Sequence, residues 1–273
     1  MKIEMIAFDL DGTVLLPDHL TMSDSVKDAL QQAHDRGIYV VPVTGRPCRL
    51  LPECLAEHPL WEKYGILCNG ADIRCFAPEQ ILAHWSLEEE ILQKVLKIAL
   101  QYDLPVEFNS DGHLYLTHYS YDKEIQESRM EFHCREFIPR HGILVDTLES
   151  CCCRKVEKIH VNCIPQDLLN QVKEQLALLP VSVVSEKPCN LEVTHLEATK
   201  GKGLKTLCSH LKIPLAHVMA LGDSGNDLSM LETAGFPVVM GNAPEYLKKN
   251  AAYVTGTNLE DGAADAIRRF ALV

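Results

Sequence analysis

The chain of 273 residues is 47% hydrophobic and 23% charged, too long and too apolar to stay disordered and able to bury one large core or two modest ones. Its 26 basic and 38 acidic side chains leave a formal charge of −12, which weighs against a nucleic-acid backbone as main partner, because such partners select for Lys and Arg. By itself this acidity names no substrate.

The first element, Ile3 to Leu10, is an apolar run that ends in Asp9, Asp11 and Gly12, the pattern of a buried parallel strand delivering acids to its C-terminal end. Ser23 is a candidate N-cap for a helix with Val26, Ala29, Leu30 and Ala33 on one face and Gly37 as its stop. Ile38 to Val43 is again continuously apolar and ends in Thr44-Gly45-Arg46. Strand, helix and strand in this order make a βαβ unit, and unbroken apolar strands predict a parallel sheet covered on both faces. A third short strand, Gly65 to Cys68, ends in Asn69-Gly70.

The middle of the chain changes character. Leu87 to Leu100 has the periodicity of an amphipathic helix, and Val106 to Phe108 and Leu114 to Leu116 flank Asn109-Ser110-Asp111-Gly112-His113 as a hairpin. Val156 to Cys163 and Val181 to Val184 are predicted strands around a helix from Pro165 to Leu178. Hairpins mixed with helices imply a separate α+β module. After Thr199 the βα rhythm returns, with a helix over Gly201 to Leu211, a strand over His217 to Leu221 ended by Gly222-Asp223, and a helix over Asp227 to Thr233. Val238 to Met240, a helix near Pro244 to Lys249, Tyr253 to Thr255 and a helix from Glu260 to Phe270 complete it. The expected fold is therefore α/β. A Rossmann-like parallel sheet with helices on both faces occupies residues 1–83 and 191–273, interrupted by an inserted α+β domain at 84–190.

Asp9 and Asp11 stand two residues apart where a strand ends, so extended backbone puts them on one face and a turn at Gly12 lets both converge on a small volume. Alone, this is an ordinary Asp-Gly turn. Gly222-Asp223-Ser224-Gly225-Asn226-Asp227 also follows an apolar strand and brings two more carboxylates to the same sheet edge, where open parallel sheets bind ligands. Four like charges there need neutralising, and an all-oxygen donor set favours Mg²⁺ over zinc.

Taken in order, Asp9-Leu10-Asp11-Gly12-Thr13, Thr44-Gly45-Arg46, Lys200-Gly201 and Gly222-Asp223-Ser224-Gly225-Asn226-Asp227 resemble the four motifs of the haloacid dehalogenase (HAD) superfamily. Asn69-Gly70-Ala71 and the position of the insertion narrow the resemblance to the Cof-type phosphatases, which carry a large α/β cap of the C2B type between the second and third motifs. The resemblance implies a Mg²⁺-dependent phosphatase of small phosphorylated metabolites, whether sugar phosphates, phosphorylated vitamins or nucleotides. Asp9 would be the nucleophile that forms an aspartyl-phosphate, and Asp11 the acid/base that protonates the leaving alcohol and then deprotonates water. Mg²⁺ would sit between Asp9, the backbone carbonyl of Asp11 and Asp223, with Asp227 steadying that site or the lysine. Thr44 and Lys200 would cradle the phosphate, while Gly12, Thr13, Gly45, Arg46, Asn69, Gly70 and Asn226 are its candidate supporting contacts; for Asn69 a turn-capping role is an equal reading. A phosphosugar mutase on the same scaffold, or a metabolite-binding regulator without chemistry, are the alternatives.

Other residues carry weaker signals. The eleven cysteines include the run Cys151-Cys152-Cys153, which lacks both the spacing of a secreted disulfide scaffold and, even with His160 nearby, the paired C-x-x-C spacing of a metal site. His113, His118, His133, His141, His160 and His195 are scattered, and His195 stands where related sequences often have Pro. Glu192 reads as a strand-edge charge, and Phe108, Tyr115, Tyr119 and His160 read mainly as core, with a leaving-group contact as the alternative. The amino terminus lacks a signal-peptide pattern, and no stretch approaches the roughly 20 apolar residues of a membrane helix, so a cytoplasmic protein with no membrane partner is expected, as monomer or homodimer.

Overall fold

The apolar run near the amino terminus forms strand β1 (Met5–Phe8), every residue of which is buried. In the computed structural model, which describes residues 2–56, 63–127, 133–152, 154–185, 189–249 and 251–273, it is followed by α1 (Asp24–Asp35), β2 (Tyr39–Pro42), the single turn α2 (Glu53–Ala56), β3 (Tyr64–Leu67), β4 (Asp72–Phe76) and β5 (Glu79–His84). Next come α3 (Glu89–Gln101), β6 (Val106–Ser110), β7 (His113–Thr117), α4 (His118–Glu127), α5 (Ile138–His141), β8 (Gly142–Val145), β9 (Val156–Val161), α6 (Leu169–Ala177), β10 (Val181–Val184) and β11 (Leu191–His195). The chain closes with α7 (Lys200–Leu211), β12 (Val218–Gly222), α8 (Leu228–Thr233), β13 (Phe236–Val239), α9 (Glu245–Lys248), β14 (Tyr253–Val254) and α10 (Gly262–Phe270).

These elements fall into two compact units. Unit 1 holds Met1–Arg46, Leu51–His84 and Thr199–Val273; unit 2 holds Pro47–Leu50 and Trp85–Ala198. In unit 1 the described strands form a parallel sheet in the order β14-β13-β12-β1-β2. Helix α1 begins where Ser23 Oγ accepts the amide of Val26 at 3.2 Å, and the chain turns after it through Gly37 at φ +79°. Ala29 and Ala33 of α1 join Ala263, Ala266 and Ile267 of α10 in the core that covers one face of the sheet. The α/β reading thus holds for unit 1. Beyond it, β3, β4 and β5 make a small antiparallel sheet, tied to the parallel one by a bridge between Val43 and Ile66. Sequence patterning does not reveal the β4–β5 hairpin, because β5 is largely exposed and so carries no apolar alternation.

In unit 2 the strand order is β10-β11-β9-β6-β7-β8, antiparallel throughout except between β7 and β8. The β6–β7 hairpin turns through Asp111 and Gly112 at φ +50° and +80°, the signs a two-residue primed turn requires. Val106, Phe108, Ile159, Val161 and Val193 give the sheet one apolar face, which packs with Leu92, Val95 and Leu96 of α3 and Val172 and Leu176 of α6. The sequence reading puts the boundary at residue 190; in the fold β11 pairs with β9 and β10, and the compact unit 2 runs to Ala198. Glu192 is likewise not a strand-edge charge, since it is buried on β11 and accepts from Lys158 Nζ at 2.5 Å. Phe108 and Tyr115 stack at 5.2 Å as core residues, whereas Tyr119 is exposed. Cys153 and the side chain of Cys151 lie outside the described residues; Cys152 is not in a disulfide. Among the described residues no helix is long and apolar enough to cross a membrane.

Phe108 is fully buried in the centre of the unit 2 core. Phe108→Ala is expected to destabilise that unit by about 3–5 kcal/mol. Native-state hydrogen exchange should show the loss in β6 and β9 and not in β1 and β12; uniform loss, or none, contradicts this.

Candidate active site

Asp9 leaves β1 one residue beyond the point where Phe8 stands level with Leu221 of β12 and Pro42 of β2. The chain runs from β1 outward to β2 on one side and from β12 to β14 on the other, so the strand order reverses here. Backbones diverging from such a point open a crevice at the carboxyl ends of the strands. The ladder itself positions the acid, because Asp9 N donates to Leu221 O at 3.0 Å. Beyond it the chain turns through Gly12 at φ +79°, where a Cβ would lie 2.3 Å from Asp223 Oδ2. Glycine is thus required both for the turn and for the approach of Asp223. Thr13 Oγ1 donates to the other oxygen of that carboxylate at 2.9 Å.

Lys200 opens α7, whose N-terminus is capped by Thr199 Oγ1 accepting from Lys202 N at 3.1 Å. Its ammonium is fully buried and donates at 2.6 Å to Asp9 Oδ1 and at 2.6 Å to Asp227 Oδ1. The second oxygen of Asp227 accepts the amides of Asp223 at 2.9 Å and Ser224 at 3.0 Å. Asp227 therefore joins the lysine to the turn after β12. Burial pulls the Lys200 ammonium towards neutrality, but Asp227 and Asp9 outweigh it and hold the proton firmly. Burial, then the charge of Asp227, push the Asp9 carboxyl well above the ordinary range, against the opposing pull of Lys200.

Carboxylate oxygens of Asp9, Asp223 and Asp227 lie within 4.8 Å of one another. Three acids around one ammonium leave negative charge in excess. The Asp227 oxygens accept from Lys200 and two amides, and those of Asp223 from Thr13 and Asn242. A compact, all-oxygen, net-negative donor set fits a hard divalent ion.

Asp11 faces elsewhere. Arg46 grips it through Nε to Oδ2 at 2.8 Å and Nη2 to Oδ1 at 2.6 Å, and His19 Nδ1 lies 2.6 Å from Oδ1. Burial would raise the Asp11 carboxyl, but the Arg46 charge and the His19 contact hold it well below the usual range. Arg46, expected beside the phosphate, is thus paired with the predicted acid/base. Thr44 is buried and its Oγ1 accepts the amide of Arg46 at 3.1 Å, which leaves the hydroxyl proton to donate; Gly45 lies in the turn between them. Asn69, at φ +57°, accepts from Asn226 Nδ2 at 3.5 Å, and Asn226 Oδ1 accepts from Ser224 Oγ at 2.7 Å. The two asparagines meet each other across the site. Gly70, at φ +100°, lets Thr199 approach, since a Cβ there would lie 2.4 Å from its carbonyl oxygen.

Sequence reading missed His19 and Asn242. Asn242 Nδ2 donates to Gly12 O at 2.9 Å and lies 3.3 Å from Asp223 Oδ2. Its signal was available, because Gly241-Asn242 follows β13 as Gly222-Asp223 closes β12. His19 had no such signal, and it joins Asp11 only through the fold.

The haloacid dehalogenase-like hydrolase family matches residues 6–267. The chain is 31% identical over 273 residues to 5-amino-6-(5-phospho-D-ribitylamino)uracil phosphatase YcsE of Bacillus subtilis (strain 168), covering 100% of this chain and 97% of that protein. It is 30% identical over 249 residues to HMP-PP phosphatase of Enterobacter sp. (strain 638), covering 88% and 84% of the two chains. The solved structure of the HAD subclass IIB sugar phosphatase BT4131 matches with a TM-score of 0.83 at 26% identity, over 99% of this chain and 100% of that one. With the motif acids gathered at one sheet edge and the match running through both units, the chain belongs to the haloacid dehalogenase-like hydrolases and is an enzyme of the phosphatase type.

Proposed function

We propose that this enzyme is a Mg²⁺-dependent phosphatase that hydrolyses small phosphorylated metabolites through an aspartyl-phosphate on Asp9. The observation that carries the reading is the Lys200 ammonium fixed at 2.6 Å from both Asp9 and Asp227. Lys200 takes Oδ1 of Asp9, which leaves Oδ2 as the oxygen to attack phosphorus. Two displacements then replace one difficult hydrolysis. Lys200 also supplies fixed positive charge to the phosphate, and the Thr44 hydroxyl donates to a non-bridging oxygen. Asp9, Asp223 and the carbonyl of Asp11 are the groups that would hold the ion. A Mg²⁺ ion held there would offset the repulsion between an anionic carboxylate and an anionic phosphate.

Asp11 is the proposed acid/base, two residues beyond the nucleophile and so able to face the leaving oxygen. The Arg46 and His19 pairing keeps it a carboxylate, so it must leave that pair to carry a proton to the leaving alcohol. Asp227 acts on Lys200 and not on the cation. Gly12 and Thr13 shape the turn beside Asp223, while Gly45, Arg46, Asn69, Gly70 and Asn226 support the phosphate pocket. The activities of the relatives, on a phosphoribitylaminouracil, on HMP-PP and on sugar phosphates, support a small phosphorylated metabolite as substrate class; unit 2 is the proposed substrate-selecting domain.

Asp9→Asn is expected to lower kcat on p-nitrophenyl phosphate by at least about 10³-fold with unchanged circular dichroism. Retained turnover would refute the covalent mechanism. Chelation should abolish wild-type activity and added Mg²⁺ restore it, whereas an enzyme indifferent to chelator would contradict the cation assignment. Asp227→Ala removes one Lys200 partner and the acceptor of two amides, and a urea titration should show a loss of about 3–5 kcal/mol. A midpoint equal to wild type would show that Asp227 does not anchor the lysine.

A further inference from the structure

Unit 2 contains a second acidic cluster for which the phosphatase chemistry has no use. Glu107 of β6 and Glu124 of α4 are both fully buried, although carboxylates are rarely so unless paired. Local structure forces them together. Ser120 Oγ accepts the amide of Val106 at 3.0 Å and its own amide donates to Thr117 Oγ1 at 3.0 Å, which pins the first turn of α4 to β6. Glu124 lies one helical turn beyond Ser120 on the same face and so meets the residue after Val106, which is Glu107. His133 Nε2 lies 2.6 Å from Glu107 Oε1, its ring stacked on Phe137 at 5.3 Å. Ligand atoms of Glu107, Glu124 and His133 lie within 4.8 Å of one another.

An independent observation points to a ligand. Glu107 Oε2 and Glu124 Oε2 are buried with no hydrogen-bond partner among the described residues, and so is the amide oxygen of Asn162. Asn162, itself buried, donates through Nδ2 to Glu124 Oε1 at 3.2 Å, which places its orphaned oxygen beside the cluster. The Asn162 oxygen lacks a partner, and two carboxylates this close repel unless a proton or a cation lies between them, so a cation would recover free energy here. His160, level with Glu107 on β9, supplies no compensating charge, since burial and then Lys158 push it down to about 4.

We infer that Glu107, Glu124 and His133, with the amide oxygen of Asn162 beside them, form a divalent-cation site inside unit 2 that staples α4 and the turn at His133 to β6. One imidazole among oxygen donors selects a borderline transition ion of the Zn²⁺ type over Mg²⁺.

The test uses the full chain carrying Asp9→Asn and Asp223→Asn, so that the first cluster is removed, dialysed against chelator and then titrated with Co²⁺ and with Zn²⁺ in excess Mg²⁺. The expected result is one equivalent of bound ion, a visible Co²⁺ absorption band, and a melting temperature that rises with Zn²⁺. Glu124→Gln, which preserves volume, and His133→Ala, at a half-buried position, should each weaken Zn²⁺ binding by about 100-fold or more and remove the Co²⁺ band. Absence of stoichiometric binding to the parent protein would overturn the proposal and leave a carboxyl pair joined by a proton. Binding undiminished in both variants would overturn it as well. Neither readout depends on phosphatase turnover.

Discussion

A buried ammonium between two carboxylates is the interaction on which unit 1 depends. An unpaired lysine at that depth would cost several kcal/mol in lost hydration, so Lys200 tolerates its position only while Asp9 and Asp227 both remain within reach. That requirement fixes three pieces of chain against one another: the end of β1, the start of α7 and the turn after β12. Asp9 and Lys200 are 191 positions apart in sequence, yet their separation in space is set to hydrogen-bond precision. Such a triad contributes little net stability beyond what an apolar replacement would give. Its contribution is geometric, because the ammonium fixes which Asp9 oxygen is engaged and which is left to face the site.

The same logic sorts the acids of the site by their partners. Asp11 is closed by Arg46 and His19, and Asp227 by Lys200 and two amides. Asp9 accepts from the ammonium that it shares with Asp227, whereas Asp223 meets the neutral donors Thr13 and Asn242. Of the 38 acidic residues in the chain, Asp9, Asp223 and Asp227 give the net charge of −12 a local meaning, since their oxygens crowd within 4.8 Å of one another and could hold a metal ion. The remaining surplus has no such address.

Sequence legibility follows from how local each feature is. The parallel strands are readable because burial on both faces makes them continuously apolar, and the motif acids because strand ends interrupt those runs abruptly. Strand β5 and helix α4 escape because exposure or polarity erases their periodicity, and β11 because only its pairing with β9 and β10 identifies it. Within the site, the residue types were legible and their pairings were not. Nothing in Thr44-Gly45-Arg46 announces that the guanidinium closes on Asp11, because that depends on side-chain direction and not on spacing. His133 stood among scattered histidines for the same reason; its partners come from β6 and α4, which share no sequence motif with it.

The strand order of unit 1 carries a consequence for how the enzyme is made. Strand β1 is paired on one side by β2, which follows it closely, and on the other by β12, which is synthesised only after all of unit 2. During synthesis, therefore, an apolar strand waits with one edge unpaired while the inserted unit emerges and can fold as an independent body. A partner so distant along the chain also makes closure of the sheet entropically slow. Asp9 is thus made early, whereas Lys200 and Asp223, which lie with it at the strand ends, come only after the whole of unit 2. A chain that stops short of β12 lacks the neighbour that holds Asp9, so the contact of Lys200 with Asp9 and Asp227 forms only once both halves of unit 1 are present.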